Sequence, residues 1–342
     1  MGENKPSPLL EVIDLSVRLN SGAYAVDGVS FGIWRSECLA MVGESGCGKT
    51  LSALSLLQAV PPEIGRAEAG GISFEGRKLS ALCRKELRSL RGGRISMIFQ
   101  DPSAALNPLF TIGSQIVETI RAHKTVSRSR ALRTAADALA EAGIVDTGRI
   151  LDSYPHQLSG GQRQRAMIAT ALATEPVLLI ADEPTTALDV TVQRQIIDLM
   201  GSLQRRRGLA LLLITHNLSV VAQLADRVVI MYAGQIVESA PARELFQGGV
   251  HPYTRALFRC LPTMDTSCKE DWPETIPGAV PRPGGWPRGC RFRPRCSFAG
   301  NEACERPQEL EPFKGRKDYT VRCSLAGKLP GDGILEPGGG RK

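Results

Sequence analysis

An α/β fold organised around a phosphate-binding loop is predicted by three stretches of the sequence. Residues 43–50 read GESGCGKT, the pattern G-x-x-x-x-G-K-[ST]. Residues 38–42 before it, CLAMV, form a short apolar run suited to a buried strand. Leu51, Leu54 and Leu57 after it recur at helical spacing until Pro61-Pro62. Residues 177–181, VLLIA, are a second continuous apolar run of the kind a central parallel strand requires, and it ends in Asp182-Glu183.

Each part of the loop has a chemical reason. The glycines Gly43, Gly46 and Gly48 let the backbone N–H groups of Glu44, Ser45 and Cys47 curl around phosphate oxygens. The helix N-terminus that follows adds partial positive charge. Lys49 is placed to reach the β- and γ-phosphates, and the Thr50 hydroxyl to ligate Mg²⁺.

The 342 residues allow about two domains with real cores. A net charge of +7, from 42 basic and 35 acidic residues spread along the chain, does not imply nucleic acid. It suits a solvated basic surface near anionic lipid or a membrane partner. No apolar run approaches the ~18 residues of a membrane span. The N-terminus, MGENKPSPLL, lacks the build of a signal peptide, so a cytoplasmic protein with reduced thiols is expected.

In chain order, Leu15, Val17 and Leu19 alternate with polar residues as in a half-buried strand. Tyr24, a loop tyrosine before the next strand, is a candidate to stack on an adenine. Residues 72–74 read as a strand closed by a Glu75-Gly76 turn. Residues 95–99 are another apolar run, ending in Gln100. A polar amide at the carboxyl end of a core strand lies where α/β sheets hold ligands, and here it can meet Mg²⁺ or an attacking water. Residues 101–113 form a loop in which Leu109 and Phe110 read as exposed. From 128 to 142, Leu132, Ala135, Leu139 and Ala142 mark the apolar face of a helix.

Ser159, Gly160, Gly161 and Gln162, before a strongly helical stretch, form a second anion cradle. With no lysine of its own, it suggests a half-site that completes another subunit. A plain glycine-rich helix cap is the ordinary alternative. Asp182 at its strand tip suits Mg²⁺, and Glu183 suits accepting a proton from a nucleophilic water. Asp189 is positioned to cap the next helix. Residues 209–214 are a further core strand, and His216 after it can hydrogen-bond a γ-phosphate. Residues 228–238 read as a hairpin about Ala233-Gly234.

These elements, in this order, resemble the nucleotide-binding subunit of an ABC transporter. Residues 43–50 match its Walker A motif, Gln100 its Q-loop and residues 158–162 its LSGGQ signature. Residues 177–182 match Walker B, with Glu183 as the catalytic glutamate. Residues 187–189 match the D-loop, His216 the switch histidine and Tyr24 the adenine-stacking loop. Cys47 departs from the commoner serine at a position that mainly donates its N–H.

More narrowly, FQDPSAALNPLFTIG (99–113) and HPYTRALF (251–258) look like the dipeptide/oligopeptide importer ATPases, a group that includes nickel and opine importers. The resemblance implies a P-loop NTPase α/β core with an antiparallel β subdomain, a helical subdomain carrying LSGGQ and a small Cys-rich C-terminal extension. Residues 1–255 would be the ATP-binding domain and 256–342 the extension. It implies ATP and Mg²⁺ and a head-to-tail pair with a second ABC ATPase subunit, identical or homologous. It also implies two membrane-spanning permease subunits, an extracytoplasmic substrate-binding protein reached indirectly, and no nucleic acid. The place of work would be the cytoplasmic face of the inner membrane. A soluble ABC ATPase acting on DNA or ribosomes would show tandem cassettes or a long coiled-coil insertion between Gln100 and the signature, and neither is present. A purely regulatory or redox-sensing binding protein is opposed by intact Glu183.

The tail opens with a Pro/Gly stretch, IPGAVPRPGGWPRG (276–289), which reads as a linker or wrapping arm. Cys290, Cys296, Cys304 and Cys323 follow. Their spacing is not the C-x₂-C pairing of structural zinc, and four thiolates can hold a [4Fe–4S] cluster, with zinc and unligated thiols as alternatives. Arg288, Arg291, Arg293 and Arg295 suit an anionic centre. With few large apolar residues, this stretch is expected to need a metal to fold. The importer family's extension has this cysteine pattern, and some members carry such a cluster. Cys260 and Cys268 are not expected to be ligands, and the final PGDGILEPGGGRK has a disordered composition.

Overall fold

The structure, a computed structural model, describes residues 7–186, 188–260, 275–300 and 302–329. Ala187, Cys268 and the final PGDGILEPGGGRK lie outside the described residues. In chain order the strands and helices begin with β1 (Leu10–Leu19), β2 (Tyr24–Ile33), β3 (Cys38–Val42) and α1 (Lys49–Leu56). Then come β4 (Gly65–Phe74), β5 (Arg77–Lys78), α2 (Arg84–Leu90), β6 (Ile95–Ile98) and α3 (Pro102–Ala105). A helical run follows: α4 (Ile112–His123), α5 (Arg128–Glu141), α6 (Thr147–Asp152) and α7 (Gly160–Leu172). Next are β7 (Leu178–Asp182), α8 (Val190–Arg207), β8 (Ala210–Thr215) and α9 (Leu218–Leu224). The chain closes with β9 (Arg227–Tyr232), β10 (Gln235–Pro241), α10 (Ala242–Leu245), α11 (Pro252–Arg259), β11 (Glu311–Phe313) and β12 (Arg316–Val321).

The chain forms two compact units. The first comprises residues 1–11, 32–38 and 71–215. Here β6, β7 and β8 are parallel neighbours, registered Ile95↔Leu178 and Leu178↔Ala210. Every residue of β7 and β8 is buried, which explains their unbroken apolar sequences. Local side chains cap the helices as their sequences suggest: Thr111 accepts from the Ser114 N–H, Ser127 from Arg130 and Asp189 from Val192. On α5 the buried face is Ala131, Ala135, Ala138 and Leu139. Leu132, expected on that face, is 46% exposed. The small alanines pack, and Leu132 instead lines an open groove of about 630 Å³ with Thr111, Val117, Arg121 and Leu151.

The second unit comprises residues 12–31, 39–70 and those from 216 onward. In β1, Asp14 at φ 51° puts an extra residue between the buried pairs Leu10/Val12 and Leu15/Val17, and its N–H donates to Ser30 Oγ at 2.8 Å. β3 runs parallel to β9, with Leu39↔Arg227 and Val42↔Ile230. β9 and β10 form the expected hairpin through Ala233 (φ 45°) and Gly234 (φ 80°). β12 then adds antiparallel to β10, Glu238↔Val321, and β11 to β12.

This strand addition changes the account of the tail. Phe292, Phe313, Tyr319 and Val321 do not make a separate small core. They join one core with Val42, Ile230, Tyr232 and Tyr253. Burying Phe292 to 2% exposure is worth roughly 2–3 kcal/mol by itself. The tail therefore has apolar burial to fold on, contrary to the expectation that only a metal would supply its stability.

Fully buried Glu238 organises this region. Its carboxylate accepts from the N–H groups of Val250 (2.7 Å) and His251 (3.0 Å) and from the Tyr319 hydroxyl (2.6 Å). His251 is 1% exposed, and its Nδ1 accepts the Tyr253 N–H at 3.0 Å, capping α11. Burial lowers the His251 pKa from the usual 6.5 to about 3. The folded state thus prefers the neutral ring. Its stabilising contribution is complete above the unfolded pKa near 6.5 and is lost as pH falls from there toward 3. Urea midpoints should therefore drop between about pH 6.5 and 5. His251→Asn, whose amide oxygen can keep the cap, should flatten that drop. An unchanged pH slope in the variant would contradict the assignment.

Candidate active site

The motif residues divide between the two units. In the second unit, β3 delivers the chain into residues 43–50. Gly43 is pressed against β9, where an added Cβ would collide with the Met231 carbonyl. Gly48 has φ 104° and faces Ala25 O and Val26, so a side chain is excluded on both conformational and steric grounds. That packing also brings the start of β2 to the loop. Tyr24, the residue before Ala25, is 37% exposed there. Ser45, Gly46 and Thr50 are exposed, whereas Cys47 is fully buried.

Lys49 is 5% exposed. Its ammonium donates to Gly43 O at 2.7 Å and Glu44 O at 3.1 Å, and lies 3.8 Å from Cys47 Sγ. The loop thus carries a buried cation that, among the described residues, is held by carbonyl oxygens and a thiol, a cradle suited to exchange for phosphate oxygens. Burial raises the Cys47 thiol above its usual range, so it acts as a small packing group. His216 is exposed and stands directly before Asn217, which caps α9.

In the first unit, β6 and β7 bring Gln100 and Glu183 together. Gln100 Nε2 donates to Glu183 Oε2 at 3.2 Å, and the Thr186 hydroxyl donates to the same oxygen at 2.9 Å. Glu183 takes a φ of 45°, a left-handed backbone that costs a non-glycine residue of order 1 kcal/mol. Its N–H donates to Ile214 O at 2.8 Å, which anchors the bend to β8. Asp182, immediately before it, is 2% exposed. The sequence marked both carboxylates and Gln100 by their positions at strand ends. It did not reveal the direct Gln100–Glu183 bond or the part of Thr186.

Ser159 caps α7 through a reciprocal pair. Its Oγ accepts the Gln162 N–H at 3.3 Å, and Gln162 Oε1 accepts the Ser159 N–H at 3.1 Å. Gly161 passes Val192, where an added Cβ would sit 3.0 Å away. The two glycines thus leave the helix N-terminus open while the cap fixes its direction.

The four tail cysteines gather in one neighbourhood. Cys290 N–H donates to Cys304 O at 3.0 Å. Burial raises the thiol pKa of Cys290 and Cys296 and takes Cys323 to about 11. Each is raised further by nearby cysteine charge. Among the described residues, however, no group of three or more His, Cys, Asp or Glu side chains is arranged to hold a metal ion. Three of the four arginines expected beside an anionic centre have carboxylate partners. Arg291 pairs with Asp27, Arg293 with Glu305 and Arg295 with Glu44. Their charges are already met by carboxylates.

The pattern described as "ABC transporter" matches residues 26–186, and that described as "Oligopeptide/dipeptide transporter, C-terminal region" matches 237–304. A putative peptide import ATP-binding protein of Brucella melitensis is 46% identical over 309 residues, covering 87% of this chain and 91% of its own. A probable peptide ABC transporter ATP-binding protein of Sinorhizobium fredii is 48% identical over 298 residues, covering 86% and 89%. Among solved structures, the dimeric ATP-binding cassette MJ0796 in a post-hydrolysis state with ADP and Pi has a TM-score of 0.61 at 26% identity, over 68% of this chain and 99% of that one. Two strand tips bearing a loop lysine and a hydrogen-bonded glutamate, a capped LSGGQ helix and relatives alike along nearly their full length have one common meaning. The chain belongs to the ABC transporter ATP-binding family, in the group that carries the oligopeptide/dipeptide C-terminal region.

Proposed function

We propose that this chain is the ATP-hydrolysing subunit that energises a membrane importer of peptides. The observation that carries the reading is the buried Lys49 ammonium, held over the Gly43 and Glu44 carbonyls in a loop whose Gly43 and Gly48 leave no room for a side chain. The curated relatives are named for peptide import. Residues 1–255 serve as the cassette and 256–342 as its extension.

The family roles carry over residue by residue. The Lys49 ammonium and the loop N–H groups of residues 43–50, apart from that of Glu44, which donates to Tyr253, bind the phosphates, and Tyr24 stacks on the adenine. Thr50, Asp182 and Gln100 are the residues that would hold Mg²⁺, which neutralises charge on the phosphate oxygens. Glu183 is the general base for the attacking water. The Gln100 and Thr186 donors orient its carboxylate before the reaction, so less reorganisation remains at the moment of proton transfer. His216 faces the γ-phosphate.

Ser159, Gly160, Gly161 and Gln162 serve a second ABC ATPase subunit's nucleotide, and Asp189 holds the segment beside them. The capped, glycine-lined N-terminus of α7 supports this use as an anion site. Permease subunits would dock on the first unit. Leu109 is 79% and Phe110 53% exposed, and both precede α4, which borders the open groove. No helix among the described residues is long and apolar enough to cross a membrane, so attachment to the cytoplasmic face would run through those partners.

The same reading assigns Cys290, Cys296, Cys304 and Cys323 to one [4Fe–4S] cluster. Its support is the gathering of the four thiols, which would have to close in and ionise to become ligands.

In the purified transporter, Glu183→Gln should retain ATP binding while turnover falls by about 10²-fold or more. Turnover equal to the parent's would refute the general-base role. Ser159→Arg should leave nucleotide affinity of the chain intact and abolish hydrolysis in the dimer. Normal hydrolysis by the variant dimer would show that the signature does not act across subunits. Anaerobically purified protein should carry about four iron atoms per chain, lost on replacing any of the four cysteines by serine. Stoichiometric zinc without iron would replace the cluster assignment.

A further inference from the structure

The phosphate loop contains one carboxylate of its own, Glu44, and a loop that binds a polyanion gains nothing from a fixed negative charge. The structure answers that charge from far along the chain. Arg295 NH1 donates to Glu44 Oε1 at 2.9 Å and Oε2 at 3.2 Å, and NH2 donates to Oε2 at 3.2 Å. The Arg295 side chain is 5% exposed. Its remaining donors are also engaged: Nε to Pro277 O at 2.8 Å and NH2 to Ile276 O at 3.2 Å. The Pro/Gly arm before the cysteines is therefore the brace that aims this guanidinium.

The other polar groups of Glu44 are held as well. Its N–H donates to the Tyr253 hydroxyl at 3.0 Å, and its carbonyl accepts from Lys49. Tyr253 is fully buried, with its ring centroid 4.7 Å from that of Tyr232 and 5.3 Å from that of Phe292. A guanidinium in a bidentate pair and a hydroxyl locked by aromatic packing thus fix the first turn of the loop.

We propose that Arg295 is a positioning residue for ATP binding: it cancels the Glu44 charge at the phosphate loop and, with Tyr253, holds the loop open for the nucleotide. The proposal rests on the ATP reading above. Arg295 touches no phosphate; it acts through Glu44. Its loss would expose the triphosphate to an uncompensated carboxylate. A unit charge about 10 Å away in a medium of effective dielectric constant about 20 is enough for a change of about tenfold in affinity.

The test is nucleotide titration of the full-length chain, with steady-state ATPase of the assembled transporter. Arg295→Ala should weaken ATP binding about tenfold, raising KM with kcat within about twofold of the parent. Glu44→Gln/Arg295→Ala should recover affinity to within about threefold, because the repelling charge is gone. Glu44→Gln alone removes the counter-charge of buried Arg295, so it is used only as the background for the double variant. Parent-like affinity in Arg295→Ala would overturn the proposal. So would a double variant as weak as Arg295→Ala, since that result assigns the arginine to packing alone. Lys49→Ala separates the two readings. If it binds ATP like the parent, the ATP site itself is misassigned and the proposal falls with it. If it abolishes binding while Arg295→Ala has no effect, only the proposal fails.

Discussion

A carboxylate shut away from water must be met by donors, and Glu238 is met by donors from separated parts of the chain. Two backbone N–H groups come from residues 250 and 251 and one hydroxyl from β12. Removing any of them would leave a buried carboxyl oxygen short of a partner at a site with no solvent. Everything on that side of the second unit is fixed relative to β10 as a result. His251 is held and can cap α11; α11 is held and presents Tyr253; Tyr253 reaches the backbone of Glu44. A fully buried carboxyl group matched by three donors fixes the segments that carry them, and through Tyr253 that geometry reaches the phosphate loop.

Much of this was readable in the sequence because the chemistry of the site is local. GESGCGKT needs glycine at the positions where β9 and β2 press on the loop, and the collisions found at Gly43 and Gly48 are the reason. Buried parallel strands announce themselves as apolar runs, and the residue after such a run stands at the sheet edge, so Gln100, Glu183 and His216 could be named from position. The reciprocal cap of Ser159 and Gln162 follows from a spacing of three.

The misreadings have two causes, a small side chain that carries little hydrophobic signal and partners distant in sequence. The face of α5 was misplaced at Leu132 because alanine, with its small side chain, carries little signal in a hydrophobic pattern yet packs closest. The arginines around the cysteines were read against the thiols beside them, whereas their carboxylates lie in β2, the phosphate loop and the tail's own Glu305. The tail was judged too poor in apolar residues to fold because its core was counted separately. Its strands in fact extend an existing sheet, and its aromatics fill an existing core. Tyr253 lay within a stretch picked out by resemblance alone, with no role that a linear pattern could disclose.

Glu44 and Arg295 are 251 positions apart. On the ribosome, at about 5–20 residues per second, the arginine emerges some 10–50 s after the loop it steadies. For that interval the young cassette holds strands, helices and a complete GESGCGKT, but its loop carboxylate is uncompensated and the hydroxyl that pins its backbone arrives only shortly before. The Glu44–Arg295 contact is thus among the last in the molecule that can form. A chain truncated before residue 295 would keep its most conspicuous motif without the brace.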